Sequence, residues 1–543
     1  MAINVGSYTR LSGSHALRLR ETTAAVLALA GSLAIYVALR AALIGIAESS
    51  APECLALDSV AMLAAGLMAG VRHADIPTLL RPLLRGIGAV VLAQVICDAA
   101  TLLYGPADIV AGWNGWFFGL GSVIAIVAGF LALYRPSFVL PLFIHYVAFR
   151  HQINAVTGID VSETDYLSMM DIGVFVAVGG LLAVGFTRRP LAERLQNLGI
   201  EPDRLKYAAC SLVWAWAVGA HLGNYLISGW TKIRVGGSDP LFWLFHNPTQ
   251  TAILIGLERG DNPFAAWPGL VQFSWDGIVW AGVGLNLFVL GIQIFCPIGL
   301  ANRRLLMLFT VLFDLFHIAV YFTLGAFFFF WIAVNVLIYA SARRIDDREF
   351  TPAMKLTALA SVVLAHFVFY TNHLGWLDGA KLASPSVVAE TRDGREVAVP
   401  AVYFGLLSYS IGQTATYIPD DHFPMRLGGN TYSQAEWHDA QSCGPEIRHH
   451  QDTGVGASAI TRMVRETDAA MRLHPDVKNL NLYYFYPNHM PANPLMFTDF
   501  NRLKIDDIVG YRYRVESVCL GLHDGVLARD VRKRTDMPID VEH

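Results

Sequence analysis

Between Glu21 and about Tyr370 the chain is a series of long apolar runs separated by short polar loops. Helices that cross the apolar core of a bilayer need about 20 mostly apolar residues, so this pattern predicts a polytopic helical membrane protein. The composition agrees, because only 15% of the 543 residues are charged, whereas soluble domains carry about 25%. A simple cytosolic enzyme, a disordered chain and a fibrous repeat are thereby excluded.

Apolar runs occur at eleven places, and we predict that each is a membrane span, the fifth being short and tilted, broken or re-entrant. They lie at about 23–46, 54–71, 88–104, 116–133, 137–149, 168–187, 208–228, 276–298, 305–322, 324–341 and 354–373. The ninth and tenth form one long run that is split near Gly325. The stretch 241–257 is interrupted by His246, Asn247 and Pro248, so we predict that it is interfacial or re-entrant.

Positive charges predict the orientation of the chain. Basic residues precede the first predicted span and follow the second, fourth, sixth, eighth and tenth, at Arg10, Arg18, Arg20, Arg72, Arg81, Arg85, Arg135, Arg188, Arg189, Arg194, Arg204, Lys206, Arg303, Arg304, Arg343, Arg344, Arg348 and Lys355. Cytoplasmic loops carry the excess of Lys and Arg, so we predict a cytoplasmic N-terminus in the cell (inner) membrane. Eleven spans then place the C-terminal part outside the cytoplasm. The first apolar run is too long for a cleaved signal peptide, which predicts a retained anchor.

The composition changes near Leu377, after which charges are frequent and apolar runs are short. We therefore predict an all-α membrane bundle over residues 1–376, followed by a β-rich, extracytoplasmic domain over residues 377–543. The predicted strands include Arg395–Phe404, Leu480–Tyr486 and Tyr511–Leu520, and the predicted helix is Ala457–Leu473. The near balance of 40 Lys+Arg against 44 Asp+Glu gives no sign of a nucleic-acid partner.

Sequence motifs exclude several classes of enzyme. The chain has no Walker A loop, no H-E-x-x-H, no C-x-x-C and no G-x-S-x-G, which argues against P-loop pumps, zincins and lipase-type hydrolases. His438, Cys443, His449 and His450 have side chains that bind metals, but their spacing matches no standard metal site, and a polar loop is favoured. Cys443 and Cys519 both lie in the predicted exported part, where a disulfide is permitted.

Ionisable groups in or beside apolar spans are costly, which makes them candidates for function. They occur in three places. The first is the segment from His221 to Lys232 at the end of the seventh predicted span, and the second is Phe313-Asp-Leu-Phe-His317 inside the ninth. The third is the polar stretch His151–Asp171.

Two of these segments resemble a known family. Tyr225-Leu-Ile-Ser-Gly-Trp-Thr-Lys232-Ile, followed by an aromatic-rich loop and by Phe313-Asp-Leu-Phe-His317, resembles the HTTM membrane domain that vitamin K-dependent γ-carboxylase contains. The resemblance covers roughly residues 17–344. It implies an exported β-rich C-terminal domain and a reduced quinone of the vitamin K or menaquinone type as cofactor, used with O₂ and CO₂ on an exported peptide or protein. The nearest counterpart of the family's Asn-His pair is Asn154, which no His follows.

The resemblance also implies roles for single residues. Lys232 corresponds to the base that starts oxidation of the hydroquinone, and His317 to a quinone contact. The other candidate cofactor contacts in the two motifs are His221, Asn224, Tyr225, Trp230 and Asp314. The base must be uncharged to accept a proton, and an apolar site disfavours the ammonium form of lysine. Trp230, Phe242, Trp243 and Phe245 are candidates for the walls of such a site.

Each of these roles has a structural alternative. A lysine just past a span often extends to the membrane interface, and a histidine or aspartate in a bundle often only bonds a neighbouring helix. His221 and Asn224 share a helix face, which is typical of such a contact. At the level of the whole chain, the rival interpretation is a non-enzymatic HTTM protein with a role in transport, immunity or assembly. In a third, Tyr483–Met490 and the pair His449-His450 form the functional surface.

Overall fold

A computed structural model describes residues 6–45, 49–102, 104–105, 111–159, 164–371, 373–375, 379–408, 434–443 and 456–541. Most of these residues are helical, and the C-terminal part adds one antiparallel sheet. Side chains are described from Leu19 onward, except in 164–166 and at four positions of the helix at 434–442. The fold is therefore a helical bundle with a smaller mixed region at its C-terminal end.

In the described part of the chain, fifteen α-helices precede the sheet. They are α1 (Gly6–Gly45), α2 (Ala51–Leu67), α3 (Arg81–Thr101), α4 (Gly112–Trp116), α5 (Ser122–Ala132), α6 (Val139–Thr157), α7 (Thr164–Gly185), α8 (Leu191–Asn197), α9 (Pro202–Val235), α10 (Phe242–His246), α11 (Thr251–Arg259), α12 (Pro268–Ile294), α13 (Arg303–Leu324), α14 (Phe329–Ala342) and α15 (Pro352–Leu364). A π-helical turn, Phe117–Gly121, joins α4 to α5. A helix lies at each of the eleven predicted positions.

Six helices in the described part of the chain are long and apolar enough to cross a membrane. They are Leu19–Gly45, Arg81–Thr101, Gly112–Ala132, Leu167–Gly185, Pro268–Ile294 and Arg303–Leu324. Two shorter apolar helices, Phe329–Ala342 and Pro352–Phe367, follow. The membrane character of the chain thus rests on these helices, and the number of crossings stays a prediction.

Helix α9 lies at the centre of the bundle, where it packs against α1, α7, α12 and α15. Two glycines allow its closest approach to α15. A Cβ atom built on Gly219 would lie 2.2 Å from the carbonyl oxygen of Ala358, and one on Gly223 would lie 2.9 Å from that of Val362. The absence of a side chain at these positions therefore sets the distance between the two helix backbones.

The Gly219 position yields a test of this packing. We expect Gly219→Ala to lower the free energy of unfolding by about 1–3 kcal/mol, because neither backbone can give way to the added methyl group. Gly282→Ala on α12 is the matched control, since nothing lies within 4 Å of a Cβ atom built there. Thermal unfolding in detergent measures both variants, and equal midpoints would contradict the packing argument.

The C-terminal region contains helices and a sheet. The strands are β1 (Lys381–Thr391), β2 (Glu396–Val399), β3 (Ile508–His523) and β4 (Val526–Asp540), and the helices are α16 (Gln434–Ser442), α17 (Ala457–Leu473), α18 (Pro475–Asn479) and α19 (Thr498–Arg502). The strand order is β2-β1-β3-β4, with every pair antiparallel. Asp524 and Gly525, both with positive φ, form the tight turn between β3 and β4.

Several secondary-structure predictions for this region can be compared with the structure. Helix Ala457–Leu473 and the strand at Tyr511–Leu520 are confirmed. The predicted strand Leu480–Tyr486 is wrong: Leu482–Phe485 form a 3₁₀ helix, in which Tyr483 is fully buried against Tyr403 and Phe500. Tyr483 therefore packs into the core of this region, and the segment does not form a β-strand.

The C-terminal region and the bundle share one apolar core. Buried residues of the bundle, including Cys54, Phe118 and Phe149, belong to the same cluster as Val387 and Met463. A buried polar contact adds to it, because the Tyr486 hydroxyl donates to the carboxylate of Asp98 at 2.9 Å. Part of the bundle therefore packs into one core with the C-terminal region, and the domain boundary at residue 377 stays a prediction.

The two cysteines of the predicted exported part, Cys443 and Cys519, are joined by a disulfide. The sulfur of Cys443 is thereby occupied, while His449 and His450 lie outside the described residues. Within the described ranges, no three His, Cys, Asp or Glu side chains are grouped as a metal site requires.

Candidate functional site

One face of α9 lines a cavity inside the bundle. Tyr225, Ser228 and Lys232 are spaced three and four residues apart, so they share that face over a rise of about 10 Å. Helices α12 and α13 form the other walls, and the cavity has about 860 Å³ of empty space including its mouth.

The break between α10 and α11 forms one end of the cavity. Asn286 of α12 stabilises that break, because its side-chain amide donates to the carbonyl oxygens of Leu244 at 3.1 Å and Asn247 at 2.9 Å. The hydroxyl of Thr249 donates to the Asn286 carbonyl oxygen at 2.5 Å. The predicted interruption at His246–Pro248 is thus confirmed, and a polar side chain of α12 satisfies the broken backbone.

Lys232 is almost fully buried, with 4% of its surface exposed. Its Nζ donates to the carbonyl oxygen of Leu374 at 2.8 Å and lies 5.5 Å from the ring centre of Trp243. Leu374 and Trp243 also line the cavity. The amine is therefore held at the cavity wall, away from bulk water.

His317 of α13 lines the same cavity and belongs to a buried polar network. Its Nε2 lies 3.0 Å from the hydroxyl oxygen of Tyr225. The side-chain amide of Asn335 on α14 donates to that hydroxyl oxygen at 3.0 Å and to Asp314 at 2.8 Å. The carbonyl oxygen of Asn335 lies 2.8 Å from His221 Nε2. Helices α9, α13 and α14 are thus joined through one asparagine.

The structure separates the seven predicted site residues into three groups. Lys232, His317 and Tyr225 line the cavity. His221 and Asp314 are in the network behind it, and each is linked to Tyr225 by two hydrogen bonds through Asn335.

The remaining two predicted contacts lie elsewhere. Asn224 points toward α7, where its amide donates to Ser168 at 3.0 Å. Trp230 is 55% exposed and is not part of the cavity lining. Of the predicted apolar wall residues, Trp243 lines the cavity, whereas Phe245 is 57% exposed. The motif residues of α9 therefore lie on more than one face of the helix, and only one of these faces lines the cavity.

Sequence reasoning missed Asn335, Asn286 and Gln293. Each is a polar side chain inside an apolar run, and each is at least 97% buried. Neutral amides in spans cost less than charges, but they also need partners. A search for Asn and Gln in the predicted spans would have found all three.

Two polar groups in the cavity lining lack partners. Among the described residues, neither the side-chain oxygen of Gln293 nor the indole N–H of Trp331 forms a hydrogen bond. A buried polar group without a partner costs about 1–3 kcal/mol. Two residues of the mostly apolar lining thus carry a buried group without a partner, an acceptor on Gln293 and a donor on Trp331.

The mouth of the cavity lies on the apolar surface of the bundle. Val289 of α12 and Phe316 and Val320 of α13 are half-buried in the lining. Their neighbours Leu287 and Leu315 are 58% and 54% exposed. Both helices are among the six that are long and apolar enough to cross a membrane.

Asn335 provides a test of the network. We expect Asn335→Leu to lower the free energy of unfolding by about 2 kcal/mol, because His221, Tyr225 and Asp314 each lose a buried partner. Thr310→Val is the control: Thr310 is equally buried, but its hydroxyl bonds only Met307 of its own helix. Thermal unfolding compares them, and a shift for Asn335→Leu no larger than that for Thr310→Val would refute the role of the network.

Neither a protein-family model nor a curated protein nor a solved structure matches this chain. A shared fold would in any case leave the function open. The function of the chain therefore has to be inferred from the geometry of the cavity and from the two motifs.

Proposed function

We propose that the chain is an integral membrane enzyme of the HTTM and γ-carboxylase-like group. It oxidises a reduced quinone-type cofactor with O₂ and uses the reaction to abstract a proton from an exported peptide or protein, or to carboxylate it with CO₂. The observation that carries the proposal is the placement of Lys232 and His317, from the two motifs, on one cavity whose mouth lies on an apolar surface.

The residues of the cavity fit such a cofactor. An aromatic ring with two oxygen substituents needs apolar walls and a few polar groups at its edge. Phe316, Phe328 and Trp331 supply aromatic walls. Trp331 and Gln293 offer the donor and the acceptor that have no partner in the described protein.

The proposed chemistry assigns different tasks to the residues of the lining. A reduced quinone, when bound, supplies phenolic hydroxyl groups and two electrons. Lys232 Nζ is the proton acceptor, because it lies at the cavity wall and away from bulk water. His317 Nε2 and the Tyr225 hydroxyl, 3.0 Å apart, orient an oxygen atom at the other end of the lining. Half-buried apolar residues at the mouth exclude water.

One contact favours a second candidate function. Lys232 donates to the carbonyl oxygen of Leu374, which follows the last bundle helix, so the amine also ties that segment to α9. In a non-enzymatic HTTM protein with a role in transport, immunity or assembly, this tie would be the whole function of Lys232. The two candidates differ in whether the amine accepts a proton.

The proposed topology has eleven membrane crossings, a cytoplasmic N-terminus and an extracytoplasmic C-terminal domain in the cell (inner) membrane. The disulfide between Cys443 and Cys519 supports the placement of that domain, because disulfides persist in oxidising compartments. The arginine-rich loops support the orientation of the N-terminus.

Quinone content tests the occupancy of the cavity. We expect a quinone to be extracted from the purified full chain in about a 1:1 ratio, and to be lost from Val320→Trp, which places an indole in the lining. Ile318→Trp on the same helix is the control, because Ile318 is 40% exposed and faces outward. Solvent extraction with mass spectrometry gives the ratio. A quinone-free wild type that also binds no added menaquinone would contradict the proposal.

A further inference from the structure

A second cavity lies on the opposite side of the bundle from α12 and α13. Helices α1, α2, α6 and α7 form it, and it has about 790 Å³ of empty space including its opening. Its lining consists of aliphatic residues and Met68, apart from Ser137. The hydroxyl of Ser137 already donates to the carbonyl oxygen of Ala65 at 3.0 Å. We call this space the α2 groove.

The α2 groove is long and narrow. Its lining follows α2 from Leu57 to Met68, which corresponds to about 16 Å along the helix. Val60, which lines it, is 61% exposed, so the groove is open along its length to the apolar surface of the bundle. These dimensions suit an extended hydrocarbon chain, which needs no polar partner.

Arginines surround one end of the groove. Arg72 follows Met68 by four residues, and Arg135 precedes Ser137 by two. A backbone hydrogen bond from His73 to the Tyr134 carbonyl joins the two loops. Arg72 is exposed and Arg135 is half-buried, and neither forms a salt bridge within the described ranges. Both arginines thus lie within four residues of the lining residues Met68 and Ser137.

Further arginines are held at the same place. Arg85 donates to the carbonyl oxygen of Leu133 at 2.9 Å, and Arg81 to that of Ala74 at 2.9 Å. Asp75 is the one acidic residue in 69–85 and 131–137, against four arginines. At the other end of α2, Glu53 is exposed. The charges therefore distinguish the two ends of the groove, with the positive potential at the Met68 end.

We propose that the α2 groove binds an anionic phospholipid of the surrounding membrane. One acyl chain lies along α2 between Leu57 and Met68, and the phosphate lies between Arg72 and Arg135. Arginine pairs with phosphate through two parallel hydrogen bonds, and basic pockets between membrane helices bind anionic headgroups. The site is independent of the Lys232 cavity, so it stands whether or not the chain oxidises a quinone.

Native mass spectrometry of the delipidated full chain, titrated with dioleoylphosphatidylglycerol or dioleoylphosphatidylcholine, tests the proposal. We expect one phosphatidylglycerol per chain, bound at least about tenfold tighter than phosphatidylcholine. Arg72→Gln with Arg135→Gln should weaken phosphatidylglycerol binding by about 25-fold and phosphatidylcholine binding by less, because the choline cation already compensates the charge of that lipid's phosphate. Arg343→Gln with Arg344→Gln, which removes two exposed charges at the end of α14, is the charge control.

Filling the groove tests the acyl chain separately. Ala61→Phe should abolish the binding of both lipids, whereas Leu63→Phe should not, because Leu63 is 72% exposed and lies outside the lining. Ala64→Phe repeats the test at a second lining position if Ala61→Phe does not fold. Equal affinity for the two lipids, or full phosphatidylglycerol binding by the groove-filled variants, would overturn the proposal.

Discussion

Lys232→Ala is expected to reduce hydroquinone oxidation by the purified protein by about 10²–10⁴-fold, the usual contribution of a positioned general base. Among the described residues, Lys232 is the one Lys or Arg that lines the cavity, and only 4% of its surface is exposed, so its amine is placed to take a proton from a bound hydroquinone. Quinone binding should persist, because Tyr225, His317 and the aromatic walls remain. Oxygen consumption with a soluble hydroquinone measures the rate, and extraction measures the binding.

Two further variants distinguish a role of Lys232 as a base from a purely structural role as a hydrogen-bond donor to Leu374. Lys232→Arg keeps a cation that can donate to the Leu374 carbonyl, but a guanidinium does not lose its proton, so this variant should fold and remain inactive. Lys355→Ala is the matched control. Lys355 also donates to a backbone carbonyl, that of Ala301, and lies 5.4 Å from the ring centre of Phe350, but it is remote from the cavity. Normal oxidation by Lys232→Arg would show that the amine is only a tie.

The second large effect concerns the disulfide. Cys443→Ser with Cys519→Ser should lower the free energy of unfolding by about 4 kcal/mol, because the bond closes a loop with a sequence separation of 76 residues. Chain entropy of the unfolded state accounts for an effect of this size. Thermal unfolding with and without dithiothreitol measures it: the reductant should destabilise the wild type and leave the double variant unchanged.

A single substitution tests whether the response to dithiothreitol comes from this disulfide and not from the free cysteines. Cys97→Ser changes a half-buried free cysteine of α3 and should leave the response to dithiothreitol as in the wild type. Trapping thiols in intact cells also reports on the compartment. An oxidised Cys443–Cys519 pair supports the extracytoplasmic placement, whereas two free thiols in cells would contradict it.

Local patterns were sufficient for most of the helices. Apolar runs of bilayer length predicted a helix at each of eleven positions, and the split near Gly325 is confirmed by the end of α13 at Leu324 and the start of α14 at Phe329. The amphipathic pattern of 457–473 predicted α17 with its observed bounds. In these segments the spacing of apolar side chains alone favours one structure.

Local patterns were insufficient where tertiary contacts determine the secondary structure of a segment or which side of a helix faces the cavity. The run Leu480–Tyr486 has the composition of a strand, yet it folds as a 3₁₀ turn because Tyr483 fills a core that distant residues build. Local patterns likewise could not show that Trp230 and Asn224 lie outside the cavity lining. They lie on the motif-bearing helix, but its rotation about its own axis depends on packing against α7 and α12.

The site itself was predicted in part. Lys232, His317 and Tyr225 line one cavity, although Lys232 and His317 are 85 positions apart in the chain. Charged groups in apolar runs made these residues conspicuous. Asn335 was not predicted, because a neutral amide in an apolar run gives no sign of a functional role until its hydrogen-bond partners are known. Their roles in chemistry remain proposals for the variants above.

The apolar cluster that combines Cys54 and Phe149 with Val387 and Met463 constrains how the protein is made. Residues synthesised early cannot be fully covered until the ribosome has delivered the final third of the polypeptide. A partly translated chain therefore exposes the apolar residues of this cluster until the C-terminal region has been made, and it needs chaperones during that interval. Prematurely terminated products should be degraded by quality control before they accumulate as working fragments.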